Sequence, residues 1–595
     1  MTTGQTAASS DGTSPAAPPR EQALTQRTTA LPRLRLPWAA GPRHAAPLPR
    51  LRLPWALATA LAGGLLLSAA FAPLGLWPFA FISPALLIFA LSGRSLRGAF
   101  LVGLVFGIGL FLPLLAWVVN LAWFAWVALA IASAVIFAVF TIAQRLLLNL
   151  RGWPVAVAGW WVAAEAFRDR WPWGGFPWGR LAMSQAGLLT QGWAAIGGAP
   201  VLTFVVALCG SVLAWLAATA LAARARPDGL LAERQSPDDP QRPPRRQLAV
   251  KAGLALAGTA CLAMLPAALP LDPVPSNAKT AVVAAIQGNV PRARNLVSQI
   301  ADYEVTTQNH MTATEKLAAG VRAGKLPAPD VVIWPENSTS IDPTLDPEIY
   351  SEIATAASAI NRPVLAGEVL NNPQRNAAVL WLPGKGPTTM YVKRRLVPFG
   401  EYVPFRSLIS KITSLTQLQP VPFVPGHQTV VFNVGQVRLG DVICYEIAFD
   451  DLVRSEVDAG ANLLSMQSND ATFEREGPIT AESGQQLAMA RIRAVEFDRA
   501  VVVASTTGYS AIVAPDGQVI SRTGMWEQAE LEARVPLLTY STLANRVGAW
   551  PEWAIVALTA LALARAVGQA AIARRRKHAT RSAQSAVAAT DAPIN

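Results

Sequence analysis

An α/β domain inserted between the helices of a membrane domain is the fold class this sequence predicts, and three observations predict it. The composition is that of a membrane protein, with 52% hydrophobic and only 15% charged residues, 19 tryptophans and a mean hydropathy of +0.32 over 595 residues. Long apolar runs crowd residues 55–269 and return at 550–571. Between them, short apolar runs alternate with helical patterns, as the strands and helices of an α/β domain do. A chain of this length exceeds one compact core, so two or more domains are expected.

The charge pattern agrees. A formal charge of +12 would suit nucleic acid if it lay on a soluble domain. It does not: residues 271–549 carry 23 Lys and Arg against 28 Asp and Glu, net −5, and the remainder carries net +17. Basic residues beside apolar spans orient a membrane protein, and the pattern excludes a nucleic-acid partner.

In chain order, residues 1–53 are rich in Ala, Pro, Thr and Arg without sustained periodicity, which predicts a disordered basic cytoplasmic tail. The tail contains a perfect repeat, LPRLRLPWA, at 31–39 and again at 48–56. Its sequence carries no function beyond a basic, Trp-bearing surface anchor, and a recent duplication without a role is the simpler account. The first apolar run is long and leads into others, so no cleavable signal is evident.

Apolar spans follow at roughly 55–73, 76–92, 98–119, 122–143, 153–167, 199–222, 249–269 and 550–571. Crossing ~30 Å of hydrocarbon takes about 20 residues, so the second and fifth are short. Arg94 and Arg97, Arg145 and Arg151, the run Arg224 to Lys251, and Arg574 to Lys577 fall in alternate connections. Eight crossings put these on one side with the basic amino-terminal tail, as the positive-inside bias requires. The expected organisation is a tail to residue 53, a seven-helix membrane domain over 54–271, and an extracytoplasmic catalytic domain over 272–548. An eighth helix over 549–572 and a disordered basic tail over 573–595 complete it. Both termini are then cytoplasmic, with the tails free for a cytoplasmic partner.

The outward loop 168–198 holds Arg168, Arg170, Trp171, Trp173, Phe176, Trp178 and Arg180. Aromatics with arginines predict a belt at headgroup level, the alternative being part of a lipid-entry wall. Glu165, ending the fifth span, is costly in lipid and is expected to pair with one of these arginines.

Three stretches of the α/β segment carry chemistry. Asp330 to Glu336 reads as a buried strand ending in a carboxylate, with Pro335 fixing its exit. Lys393 follows Tyr391-Val392 and precedes Glu401. The apolar run Val434 to Ile443 ends in Cys444-Tyr445-Glu446. A thiol at a strand end is rigid yet open on one side, as attack on a carbonyl requires. The other two cysteines, Cys209 and Cys261, fall inside apolar spans, so a disulfide with Cys444 is not expected.

Together, WPE (334–336), YVKRRLVPFGEYVP (391–404) and DVICYE (441–446) resemble the Glu–Lys–Cys motifs of the nitrilase, or carbon-nitrogen hydrolase, superfamily. With eight spans around them, the resemblance is closer to its membrane-embedded branch, the apolipoprotein N-acyltransferase family, over roughly 55–570. FPW (176–178), QGNVP (287–291) and Arg491 to Glu496 fit it too.

The resemblance implies a nitrilase-like α-β-β-α sandwich between the membrane helices, and a place in the bacterial cytoplasmic (inner) membrane with the sandwich on the outer side. It implies a two-step reaction. A phospholipid, typically phosphatidylethanolamine, gives its acyl chain to the cysteine as a thioester, which then acylates the α-amino group of a diacylglyceryl-cysteine that begins a lipoprotein. Matched by position, Glu336 is the general base, Lys393 the electrostatic stabiliser and Cys444 the nucleophile. Glu401 positions Lys393, while Tyr445 and Glu446 flank the nucleophile. No metal-ligand spacing or phosphate-cradling glycine loop occurs, so neither cofactor nor metal is expected.

The residues support those roles independently. A free thiol is only a few per cent thiolate at pH 7 and needs an acceptor or a cation nearby. A cation between two carboxylates stays charged, as an oxyanion partner must. Phe405, Leu408, Ile409, Ile412 and Leu415 recur at helical spacing within 403–426, which predicts either an interfacial arm admitting acyl chains or a core helix. The family's NDAWFG, QH and NTGISA stretches are here Asn469 to Glu474, Gln485-Gln486 and Thr506 to Ala511. Two other readings remain at this stage: a membrane-tethered amidase delivering its acyl group to water, and a catalytically silent scaffold.

Overall fold

The computed structural model describes residues 48–224, 245–268, 274–290, 296–411, 421–474 and 481–590. Seven α-helices precede the first strand: α1 (Leu53–Ala69), α2 (Phe79–Leu91), α3 (Leu96–Leu114), α4 (Trp123–Leu147), α5 (Trp153–Arg168), α6 (Trp193–Arg224) and α7 (Arg245–Ala268). Pro54 opens α1 where no N–H partner is lost, and the Ser95 hydroxyl caps α3 by accepting from Gly98 N–H at 3.1 Å. A Cβ on Gly64 would lie 2.1 Å from Phe106 O, so α1 and α3 approach backbone to backbone. α6 breaks at Gly197 and Gly198, the latter at φ +77°, a conformation glycine adopts without steric cost.

The α/β segment runs β1 (Thr280–Gln287), α8 (Leu296–Arg322), β2 (Val331–Ile333), α9 (Pro347–Ile360), β3 (Val364–Leu370), β4 (Arg375–Leu382) and β5 (Gly386–Val392). It continues through α10 (Arg406–Ile409), β6 (Val431–Val434), β7 (Val437–Ile443), α11 (Asp450–Asp458), β8 (Leu463–Ser468) and α12 (Glu482–Phe497). The last elements are β9 (Val501–Ser505), β10 (Ala511–Val513), β11 (Val519–Arg522), β12 (Ala529–Pro536), α13 (Leu543–Val547) and α14 (Trp550–Thr590). They form two six-stranded sheets, ordered β12-β1-β2-β3-β4-β5 and β11-β10-β9-β8-β7-β6. In each, the parallel pairs lie centrally (β1-β2-β3 and β7-β8-β9) and antiparallel strands flank them.

One core holds side chains of both sheets, among them Val283, Ile333 and Leu365 from the first and Leu439, Ile443 and Val502 from the second. α8 and α9 cover the other face of the first sheet around Trp334, Ile353 and Trp381. α11 and α12 cover the second sheet, and their apolar cluster runs on into α1, α3 and α6. The α/β segment and the amino-terminal helices therefore share a hydrophobic core.

Four helical segments among the described residues, Leu96–Leu114, Trp123–Leu147, Leu189–Leu221 and Trp550–Arg576, are long and apolar enough to cross a membrane. Leu53–Ala69, Phe79–Leu91 and Gly253–Ala268 are apolar but shorter. The predicted span 76–92 becomes helical only at Phe79, because Gly75 at φ +62° turns the chain before it. α5, the other short span, is buried along most of its length among its neighbours.

The two tails depart from expectation. The first repeat copy lies outside the described residues, but the second is structured. Leu48 O accepts from the Ser92 hydroxyl at 3.1 Å, Leu51 O accepts from Arg94, and Trp55 enters α1. Its backbone carbonyls thus cap the α2–α3 turn, a contact that repeat-spotting alone does not reveal. At the other end α14 continues to Thr590, where a disordered tail was expected from residue 573. Residues 573–590 hold mostly Ala, Arg, Lys, Gln and Ser with no Gly or Pro, and the strong helix formers among them extend a helix already nucleated in the preceding span.

Candidate active site

Glu336 leaves β2 through Trp334-Pro335, and its position is set by both sheets. Gln467 on β8 donates to Trp334 O at 2.6 Å, and a Cβ on Gly367 of β3 would come within 2.2 Å of Pro335 O. Glycine at 367 therefore lets the strand end lie against β3. Oε1 of Glu336 accepts from Lys393 Nζ at 2.9 Å and Asn376 Nδ2 at 2.7 Å, and Oε2 accepts from Asn469 N–H at 2.9 Å. Lys393, just past β5, also donates to Glu401 Oε1 at 3.0 Å and is almost wholly buried. Burial alone would depress its pKa, but Glu336 and Glu401 outweigh that and hold the ammonium well above its ordinary value. The cation expected between two carboxylates is present.

Cys444 follows β7 with φ +53°, in the left-handed region that non-glycine residues rarely enter. Such strain persists only where the surroundings over-determine it. Glu446 does so: it accepts from Ile443 N–H (2.9 Å), Arg394 N–H (2.7 Å), Arg395 N–H (2.9 Å) and the Tyr391 hydroxyl (2.8 Å). One buried carboxylate thereby ties the cysteine turn to the segment that carries Lys393. The thiol is buried and accepts from Gln486 Nε2 at 3.4 Å. Burial, then Glu336, push its pKa well up, Lys393 opposes them, and Glu482 and Asp470 add to the rise.

Tyr445 faces the membrane domain. Its hydroxyl donates to Gly175 O at 2.7 Å, and its ring stacks on Phe176 at 6.3 Å. A cavity of about 330 Å³ opens there, lined by Trp173, Arg394, Arg395, Tyr402, Phe423 and Tyr445 among others. Phe399 and Phe405, the latter 66% exposed, approach Trp173 at its rim. Of the predicted helix within 403–426, α10 forms over Arg406–Ile409, and residues 412–420 lie outside the described residues. The segment's far end is fixed to the site, Phe423 N–H donating to Glu401 O at 3.0 Å and Gly426 N–H to Lys393 O at 2.9 Å.

The chain is similar over most of its length to known proteins. The model of the apolipoprotein N-acyltransferase N-terminal domain matches residues 63–212, and that of carbon-nitrogen hydrolase matches 282–552. An apolipoprotein N-acyltransferase of Mycolicibacterium smegmatis is 36% identical over 505 residues, 83% of this chain and 82% of the relative. The chain belongs to the apolipoprotein N-acyltransferase family. Proteins of that name from Azotobacter vinelandii and Vibrio vulnificus are 30% and 28% identical, over 83% and 84% of this chain and 91% and 95% of their own. A nitrilase-superfamily amidase of Nesterenkonia AN1 aligns with 47% of this chain and 97% of its own at TM-score 0.33 and 17% identity, too remote to bear on the site.

The chain is thus an acyltransferase with a nitrilase-like domain, and its loop 168–198 differs from the predicted belt. Trp171 and Trp173 are exposed, but Trp178 and Arg180 are buried under the catalytic domain. Trp178 Nε1 donates to Gln485 Oε1 at 2.5 Å, and Arg180 pairs with Asp450 at 2.6 Å and Asp169 at 3.3 Å. Trp178 and Arg180 serve a domain seam, because α12 and the segment after the cysteine turn cover them. Glu165 makes no ion pair among the described residues. It accepts from Leu181 N–H (2.8 Å), the Thr203 hydroxyl (2.8 Å) and Trp161 Nε1 (3.1 Å). Neutral donors satisfy it because Arg180 is taken by the two aspartates.

Sequence reasoning missed Asn376, which bridges Glu336 and Glu401 (2.9 Å to the latter). The signal was there: it is the one amide opening the apolar run Ala377–Leu382 on β4, and its carbonyl accepts from Lys393 N–H. Gln486 was noted only as a departure from the family pattern, without a role.

Proposed function

We propose that this enzyme moves a fatty acyl chain from a membrane phospholipid to the α-amino group of the diacylglyceryl-cysteine that begins a lipoprotein, through a thioester on Cys444. The observation that carries the reading is Lys393 held between Glu336 and Glu401 at the seam where a strained cysteine turn meets the membrane domain. In acylation the thiol proton passes to Glu336, the sulfur–carbon bond forms, and the ester carbon–oxygen bond breaks. Glu336 then returns the proton to the lyso-lipid oxygen. In transfer the amine nitrogen bonds the carbonyl carbon, the carbon–sulfur bond breaks with its electron pair on sulfur, and the amine proton reaches that sulfur through Glu336. Lys393, with Tyr445 N–H, faces the oxyanion in both steps, while Glu401 and Asn376 hold Lys393 and Glu336 in register.

The layers around the shared core form a four-layer α-β-β-α sandwich placed between α7 and α14, which with α1 to α6 make eight crossings. The loop between α5 and α6 supports an outward sandwich. With both termini cytoplasmic, alternation puts that loop and the α7–α14 insertion on one side, and the two do touch, Tyr445 on Gly175 and Arg180 on Asp450 at 2.6 Å. The cavity under Tyr445 then opens at headgroup depth, where lipid chains enter and water is scarce, favouring the amine over hydrolysis.

The test incubates the purified protein with acyl-labelled phospholipid and a diacylated lipopeptide. Label appears on Cys444 and moves to the peptide amine, Cys444→Ala abolishes it, and Cys209→Ala does not. Label lost only to water would make the enzyme an amidase, and equal activity in both variants would remove Cys444 from the reaction.

A further inference from the structure

The sulfur has a contact that the triad does not use. α12 starts at Glu482, so Glu482 and Gln486 stand one turn apart on the same helix face. Gln486 is buried; its Nε2 donates to Cys444 Sγ at 3.4 Å and to Glu482 Oε1, and its Oε1 accepts from the Ser468 hydroxyl at 2.8 Å. Ser468, at the end of β8, is held in turn against Asp470 Oδ1 at 2.5 Å. The Glu482 contact fixes the nitrogen end of the amide, the oxygen end shares the single Ser468 hydrogen with Asp470, and the N–H that remains aims at the sulfur.

We propose that Gln486 is a second catalytic contact on the reacting sulfur: its amide holds the Cys444 thiol and stabilises the thiolate whenever sulfur carries charge, with Glu482 and Ser468 as its positioning residues. This rests on Cys444 being the nucleophile. The titratable groups that act on the sulfur are Glu336, Lys393, Glu482 and Asp470, one cation among three acids. A thiolate in that company gains from a donor that brings no charge of its own. Burial, with Asp470 and Glu474 nearby, pushes the Glu482 pKa well up, and its carboxyl anchors the amide through Nε2. In the transfer step the same N–H meets the electron pair that leaves on sulfur.

Two measurements on the full-length protein in nanodiscs test this. The first is the pH midpoint of Cys444 alkylation by iodoacetamide without lipid; the second is single-turnover thioester formation from labelled phospholipid. Gln486→Leu moves the alkylation midpoint upward and slows thioester formation about 10–100-fold at saturating lipid, with the lipid KM unchanged. The isosteric Gln486→Glu, which cannot fail by leaving a cavity, is at least as slow, and Gln486→His, keeping a ring donor, stays within about threefold of wild type. An unshifted alkylation midpoint in both Gln486→Leu and Gln486→Glu, or a loss confined to KM, overturns the proposal. A wild-type Cys444 that alkylates with a shifted midpoint in the variants but never forms a thioester overturns the acyl-transfer reading instead, and the contact stands.

Discussion

Two buried charge clusters lie on either side of the cysteine turn, and they are built on opposite principles. At the site, one ammonium serves two carboxylates, with Glu482 and Asp470 beyond the sulfur. At the domain seam, Arg180 and Arg493 share Asp450, Arg493 also takes Glu496, and Arg180 also takes Asp169. Arg493 further donates to Ile447 O at 3.0 Å and Ala448 O at 2.9 Å, the residues just past the cysteine turn. With Arg454 3.9 Å from Glu496, three arginines face Asp169, Asp450 and Glu496, and the seam acts as a latch. The site is short of positive charge, which keeps the thiol protonated until a base acts. Planar guanidinium forks suit the first task and a compact ammonium the second.

The largest test of this contrast removes a latch cation. Arg493→Met leaves Glu496 buried without its main partner and Asp450 with Arg180 alone, and breaking such a pair costs about 3–5 kcal/mol. A clear drop in apparent Tm of the detergent-solubilised protein is expected, whereas Cys444→Ala leaves Tm unchanged; equal Tm values would show the latch to be dispensable. Next, Lys393→Met removes the cation proposed to face the oxyanion and is expected to lower thioester formation by about 10²–10³-fold, read by mass spectrometry of Cys444. A loss below tenfold would assign the oxyanion to other donors. Asn376→Leu is milder, since it leaves two carboxylate oxygens each short of one donor. About 1–3 kcal/mol of stability is lost, measured by chemical denaturation, with a matching fall in kcat.

The smallest effect is on pH dependence, and it differs in sign between the clusters. Burial alone would raise the Asp450 pKa, but Arg180 and Arg493 outweigh it and hold it below its ordinary value. Its contribution is therefore complete above the unfolded value of about 3.9 and fades as pH falls. Glu482 is shifted upward, so its contribution is complete below about 4.3 and fades as pH rises through the folded value. Stability measured across pH should thus lose its acid-side decline in Asp450→Asn and part of its alkaline-side decline in Glu482→Gln. The same profile in both variants would break the comparison.

The alternation of strand and helix, the apolar spans and the strand-end positions of Glu336 and Cys444 were legible in the sequence. Each is a local property: a period of hydrophobicity, or a polar side chain where an apolar run stops. The tertiary structure alone decided the partners. Loop 168–198 looked like a lipid-facing belt because tryptophan and arginine favour headgroups and domain seams equally, and only the covering α12 distinguishes them. Glu165 was expected to take an arginine, but Arg180 is claimed by Asp169 and by Asp450, 270 residues away. Gln486 likewise meets Cys444 across 42 residues of chain. Hydrogen bonds between segments distant in sequence leave no period to read, because the donor's neighbour is fixed by how β8, α12 and the cysteine turn pack, not by spacing along the chain.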